Sequence, residues 1–147
     1  MIEAGKTSLP NETGGVLIGY YTRSRRTAVV ESATLPSPDS EASRTRFYRG
    51  VVGLQRLLAR FWRRPPEERR YYLGEWHVHP GGASVPSQHD HAQMLEIARS
   101  ENYQCPEAIL VLLGGDLTSG GSLAIWIFRR EEAPIRLRQE NLTPTGE

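Results

Sequence analysis

The spacing of apolar and polar residues changes several times along the chain. Residues 13–22, Thr13-Gly14-Gly15-Val16-Leu17-Ile18-Gly19-Tyr20-Tyr21-Thr22, form a short apolar run that predicts a buried strand entered through a glycine turn. Residues 27–34 are rich in Val, Thr and Ala and predict its hairpin partner across Ser24-Arg25. A polar, proline-bearing loop covers 35–43. From Val51 to Arg64 the period lengthens. Leu54, Leu57, Leu58, Phe61 and Trp62 recur at the spacing of one helix face, and Pro65-Pro66 stops the pattern. Tyr71 to His79 predicts a strand ended by Pro80-Gly81-Gly82, and Ser87 to about Glu101 predicts a helix. Two further apolar strands, 108–113 and 123–128, are joined by a glycine-rich turn, and the polar tail over 133–147 is expected to dock loosely. Strands interspersed with two helices give an α/β class, a mixed β-sheet flanked by helices in a single domain spanning 1–147.

Composition narrows the function. The chain has 147 residues, 18 basic against 17 acidic side chains, and one cysteine, Cys105. That length supports a core without staples. The single cysteine excludes an internal disulfide framework and every zinc site built on paired cysteines, and it suits a reducing cytosol. No run approaches the 18 or so apolar residues of a membrane span, and the N-terminus lacks the order of a signal peptide. The expectation is therefore a cytoplasmic protein with no membrane partner. Seventeen of the basic residues are arginine, a skew that GC-rich coding explains. A near-neutral total argues against nucleic acid as a partner. Arg44, Arg46, Arg49, Arg56, Arg60, Arg63 and Arg64 then read as solvated positions.

The segment from Gly74 to Asp90, GEWHVHPGGASVPSQHD, holds the densest chemistry. Side chains alternate across a strand, so His77 and His79 face the same side, roughly 6.5 to 7 Å apart, while Trp76 and Val78 face the core. A His-x-His pair alone is ambiguous between a metal pair and two packed histidines. A Pro- and Gly-rich loop then leads to Ser87 and Asp90, and a carboxylate is an ordinary third zinc ligand. Ser87-Gln88-His89-Asp90 also reads as a capping box, which is compatible with a ligand held at a helix start. His89 and His91 lie about 200° apart on a helix, so at most one could join the site, and both are expected to face solvent. Glu75 shares a strand face with His77, either orienting a ligand, binding substrate, or simply buried and paired. Cys105, before Pro106, reads as a buried structural thiol. The His-Glu-x-x-His helix, the Pro-Cys-x-x-Cys signature of base deaminases and a phosphate-binding glycine loop are all absent.

His77-x-His79, seven residues, Ser87, two residues and Asp90, with Glu12-Thr13-Gly14-Gly15 upstream, resembles the JAMM (JAB/MPN+) metalloprotease family. Tyr72-Leu73-Gly74-Glu75-Trp76-His77-Val78-His79-Pro80 resembles its bacterial branch, whose members sit in operons with ubiquitin-like conjugation proteins, including antiphage CBASS systems. The resemblance implies a JAB/MPN, cytidine-deaminase-like fold with a catalytic core over about 10–128. It implies His77, His79 and Asp90 as ligands of one zinc ion with a catalytic water, Glu12 as general base and acid, and Ser87 as hydrogen-bond donor to the oxyanion. The implied activity is hydrolysis of the peptide or isopeptide bond after the C-terminal tail of a ubiquitin-like protein, alone or conjugated. Operon-encoded activating and conjugating enzymes would be further partners. A peptidase acting on a sulfur-carrier protein, or a non-catalytic scaffold, are the alternatives. Residues 35–46 are expected to form the substrate loop. Family members usually carry a longer helix before the glutamate; here eleven residues precede it, enough for two turns, which fits either a trimmed chain or one module of a longer polypeptide.

Overall fold

The computed structural model describes residues 1–24 and 26–138. Arg25 of the expected hairpin turn, and 139–147 of the expected tail, lie outside the described residues. The elements run α1 (Ile2–Ser8), β1 (Thr13–Tyr21), β2 (Ala28–Ala33), β3 (Glu41–Ala42), β4 (Phe47–Tyr48), α2 (Leu54–Trp62), β5 (Tyr71–Pro80), α3 (Gln88–Arg99), β6 (Glu107–Gly115), β7 (Ser122–Arg129) and β8 (Ile135–Arg136). Six strands form one sheet in the order β2-β1-β5-β6-β7-β8, and β3 and β4 form a separate hairpin. Among the described strands β5 and β6 alone pair in parallel, because α3 provides the crossover between them. The α/β mixed sheet expected from the chain is the observed fold. No helix among the described residues is long and apolar enough to cross a membrane.

The sheet divides the core by the pleat of its strands. Val16, Tyr72, Leu110 and Leu112 face α2 and α3, where they pack with Leu54, Met94, Ile97 and Ala98. Leu17, Leu73, Trp76, Val78, Val111 and Leu113 face the other way, towards Ala4 of α1 and Leu117. Trp76 and Val78 therefore do point away from His77, as alternation requires.

Four features differ from the sequence pattern. Gly14 and Gly15 lie within β1 rather than in a turn, with no positive φ. The proline-bearing loop contains β3, so it is partly ordered by pairing with β4. The apolar stripe of α2 sinks only at Leu54, and Trp62 remains 53% exposed, its ring edge against Tyr71. That helix packs against β5, with Leu58 partly buried against the core beside Leu54 and its C-terminal Trp62 left outside. Finally, the start of the tail is an edge strand: Ile135 and Arg136 pair with Ile127 and Trp126, and the amide of Leu137 donates to the Ile125 carbonyl at 2.9 Å.

The parallel β5–β6 pair depends on one glycine. Gly74 has φ +145°, and a Cβ there would stand 1.9 Å from the Ile109 carbonyl oxygen. Neither the backbone conformation nor the space admits a side chain. Gly74→Ala is expected to destabilise the fold by about 2–3 kcal/mol or more, read as a lower urea midpoint with an unchanged slope.

Candidate active site

Glycines in β1 allow the site to close around His77. Gly14 lies opposite His77 in the antiparallel β1–β5 register. A Cβ on Gly14 would come within 2.7 Å of His77 Cδ2 and of Phe47 Cε1, and within 2.5 Å of the Trp76 carbonyl oxygen. With no side chain there, the ring of His77 lies over the β1 backbone and meets Phe47 edge to face at 5.5 Å. The Glu-Thr-Gly-Gly phrase is thus a steric device rather than turn material.

His77 is fully buried between two acids. Its Nδ1 is 2.7 Å from Asp90 Oδ1, and its Nε2 is 3.0 Å from Glu75 Oε2. Burial alone would lower its pKa, but hydrogen bonds to the two carboxylates raise it to about 9. Burial would conversely raise Asp90, yet the hydrogen bonds with His77 and Ser87 and the neighbouring imidazole of His79 hold that carboxyl well below the usual range.

His79 sits where β5 leaves the sheet, ahead of the Gly81-Gly82 turn. Its Nδ1 donates to the Ala83 carbonyl at 3.3 Å. Its Nε2 lies 3.2 Å from Asp90 Oδ2 but off the line of a hydrogen bond, so it is a buried nitrogen with no partner. Burial lowers the pKa of His79, while Asp90 and Glu12 raise it by more. The capping box is present in full. The Ser87 hydroxyl donates to Asp90 Oδ2 at 2.7 Å, the Ser87 amide donates to the same oxygen at 2.7 Å, and the Asp90 amide donates back to Ser87 Oγ at 3.1 Å. The start of α3 therefore fixes Asp90 between the two histidines.

Glu12 stands just before β1, half-buried, with its amide donating to the Ser43 carbonyl at 2.7 Å. Burial raises its carboxyl pKa; the negative charge of Asp90 adds to this, and His79 and His77 oppose it. All five expected residues thus belong to one neighbourhood: His77, His79, Ser87 and Asp90 through direct contacts, and Glu12 through its electrostatic coupling to them. As placed, the donors hold one another, and no three His, Cys, Asp or Glu side chains among the described residues form a closed metal shell. Two imidazoles, one of them with an unpartnered buried nitrogen, and one carboxylate nevertheless suit a metal ion, which His77, His79 and Asp90 would hold.

His89 and His91 stay outside the site. They are half-buried rather than solvent-facing: His89 donates to the Phe47 carbonyl at 3.2 Å and packs on Tyr48, and His91 meets the edge of Phe128. Cys105 is buried, which pushes its thiol up to about 12, so no thiolate is available near pH 7. The sequence reading missed Arg49, grouped there with the solvated arginines. Its side chain is 5% exposed and its Nε bonds Glu75, while its Nη2 donates to Tyr103 at 2.7 Å. The available signal was Glu75 itself, since an acid on a buried strand face requires a cation.

Comparison with known proteins identifies relatives of the chain. The model for prokaryotic homologs of the JAB domain matches residues 1–137. A protein named CD-NTase/cGAS isopeptidase from Enterobacter hormaechei subsp. hoffmannii (strain UCI 50) is 46% identical over 129 residues, covering 88% of this chain and 69% of that protein. Probable metalloprotease y4qB from Sinorhizobium fredii (strain NBRC 101917 / NGR234) is 29% identical over 113 residues, 71% of this chain and 63% of its own length. The solution structure of protein DSY2949 from Desulfitobacterium hafniense matches with a TM-score of 0.65 at 16% identity, covering 93% of this chain and 82% of that one, a likeness of fold. A family match over nearly the whole chain, with a relative at 46% identity, places this chain in the prokaryotic JAB-domain family.

Proposed function

We propose that the chain is a zinc-dependent isopeptidase that hydrolyses the bond after the C-terminal tail of a ubiquitin-like protein joined to a CD-NTase-type enzyme or to another conjugation partner. The observation that carries this reading is the meeting of His77, His79 and Asp90, with Glu12 electrostatically coupled to them. The relative at 46% identity is named an isopeptidase, and the more distant one a metalloprotease.

In this reading His77, His79 and Asp90 hold the ion. Zinc bound there supplies an acidified water and polarises the scissile carbonyl. Glu12 accepts the proton of the attacking water and passes it to the leaving amine. Its raised pKa suits that exchange, because a carboxyl nearer neutrality both takes and returns a proton readily. Ser87 donates to the developing oxyanion by turning its hydroxyl from Asp90, a donor worth roughly 10²–10³ in rate. The β3–β4 hairpin and the loop before it flank Glu12 and form the arm along which an extended tail would lie as an added strand.

Glu12→Gln is expected to keep stoichiometric zinc and lose cleavage of a ubiquitin-like fusion, read by intact mass; cleavage by that variant would remove Glu12 from the mechanism. In the wild type, activity is expected to fall as pH drops through the Glu12 pKa, above the usual 4.5, because the protonated acid cannot accept. His79→Ala is expected to lose both zinc and activity, and a chelator should abolish wild-type cleavage with zinc restoring it. A wild type that purifies metal-free and gains nothing from added zinc would point to a binding scaffold.

A further inference from the structure

Glu75 is fully buried and satisfies four donors, two from its own strand β5, one from α3 and one from the residue after β4. Its Oε1 accepts from Arg49 Nε and, at 3.0 Å, from the Tyr72 hydroxyl. Its Oε2 accepts from His77 Nε2 at 3.0 Å and from Gln93 Nε2 of α3 at 2.6 Å. Arg49 lies directly after β4 and is itself held, its Nη1 donating to the Gly50 carbonyl and its Nη2 to Tyr103. A carboxylate so fully committed cannot bind substrate or carry a proton to it. It can fix the ring beside it.

We propose that Glu75 is a positioning residue for His77, with Arg49 positioning Glu75 in turn. By claiming the Nε2 proton, Glu75 sets the tautomer and rotation of the imidazole and leaves Nδ1, the nitrogen beside Asp90, as the one offered to the metal. A carboxylate on the far nitrogen of a ligating histidine also makes the ligand more basic, and losing such a partner typically costs 10–100-fold in metal affinity. This inference rests on the reading of His77 as a metal ligand.

The test is zinc affinity, measured by competition with a chromophoric chelator, together with the visible spectrum of the cobalt-loaded protein. Wild type, Glu75→Gln, Glu75→Ala and His79→Ala are compared, with circular dichroism to check folding. Glutamine offers one acceptor oxygen to four donors, so Glu75→Gln is expected to bind zinc about 10–100-fold more weakly with an altered cobalt spectrum, and Glu75→Ala at least as weakly. Wild-type affinity and spectrum in both Glu75 variants would overturn the proposal. A wild type that binds no zinc, or an undiminished His79→Ala, overturns instead the metal-site reading beneath it, and the proposal falls with it. If Glu75→Gln fails to fold because Arg49 is left unpaired, the pair Glu75→Gln with Arg49→Met removes both charges together. Nitrogen-15 spectra of histidine-labelled, cadmium-113-loaded wild type supply a measurement free of substitution. Cadmium coupling at Nδ1 of His77 and a retained proton at Nε2 are expected, and coupling at Nε2 would sink the assignment.

Discussion

His77 is held between two carboxylates, Asp90 at one ring nitrogen and Glu75 at the other, in a place that water does not reach. Taking two acids out of water is unfavourable by several kcal/mol each unless cations and donors surround them. Here the compensation comes from histidine, Arg49, Tyr72, Gln93 and the first turn of α3. Those groups come from β5, from α3 and from the end of β4, so the charge balance of one ring constrains where these three elements can lie. Removing one partner, Arg49 for example, would leave a buried carboxylate uncompensated at a cost of about 3–5 kcal/mol. The buried ionic cluster therefore makes the fold specific as much as it makes the site.

The same logic explains the glycines. Polar groups this deep must approach one another and the backbone closely, and side chains on β1 would prevent it. Gly14 admits His77 and Phe47, while Gly15 admits Thr34, whose hydroxyl accepts from the Val16 amide at 2.9 Å and whose carbonyl accepts from the Trp76 indole at 2.9 Å. Both are close-approach glycines in extended backbone, which sequence alone cannot separate from turn glycines.

What the sequence disclosed and what it hid divide along a physical line. Local rules reached far: strand alternation separated His77 from Trp76, the capping box located the start of α3, and helical spacing identified α2. Each depends on residues near one another in the chain. The hidden features depend on residues far apart. Arg49 and Glu75 are separated by 26 positions, and nothing near Arg49 distinguishes it from the exposed arginines around it. The shallow seat of α2 and the edge strand β8 are likewise set by what each element packs against. The five candidate residues were named by the family resemblance that their composite spacing carries, but their mutual contacts, and the full use of Ser87 in the helix cap, were not legible.

The hairpin of β3 and β4 ties these strands of argument together. Within nine residues it gives the Ser43 carbonyl to the Glu12 amide, the Phe47 ring to His77, the Phe47 carbonyl to His89, and the Arg49 guanidinium to Glu75. Its own base is pinned where Asp39 accepts from the Val51 and Val52 amides at 2.9 and 3.0 Å. The end of the expected substrate loop braces the proposed base through Ser43, and the residues directly after it, Phe47 and Arg49, brace the ring beside the proposed metal. A rigid support is what a site needs if its groups must be held to a fraction of an ångström. Because one segment supports both, a displacement of the hairpin cannot be confined to the surface: it reaches Glu12 through the Ser43 carbonyl, and His77 through the Phe47 ring and through the Arg49–Glu75 pair.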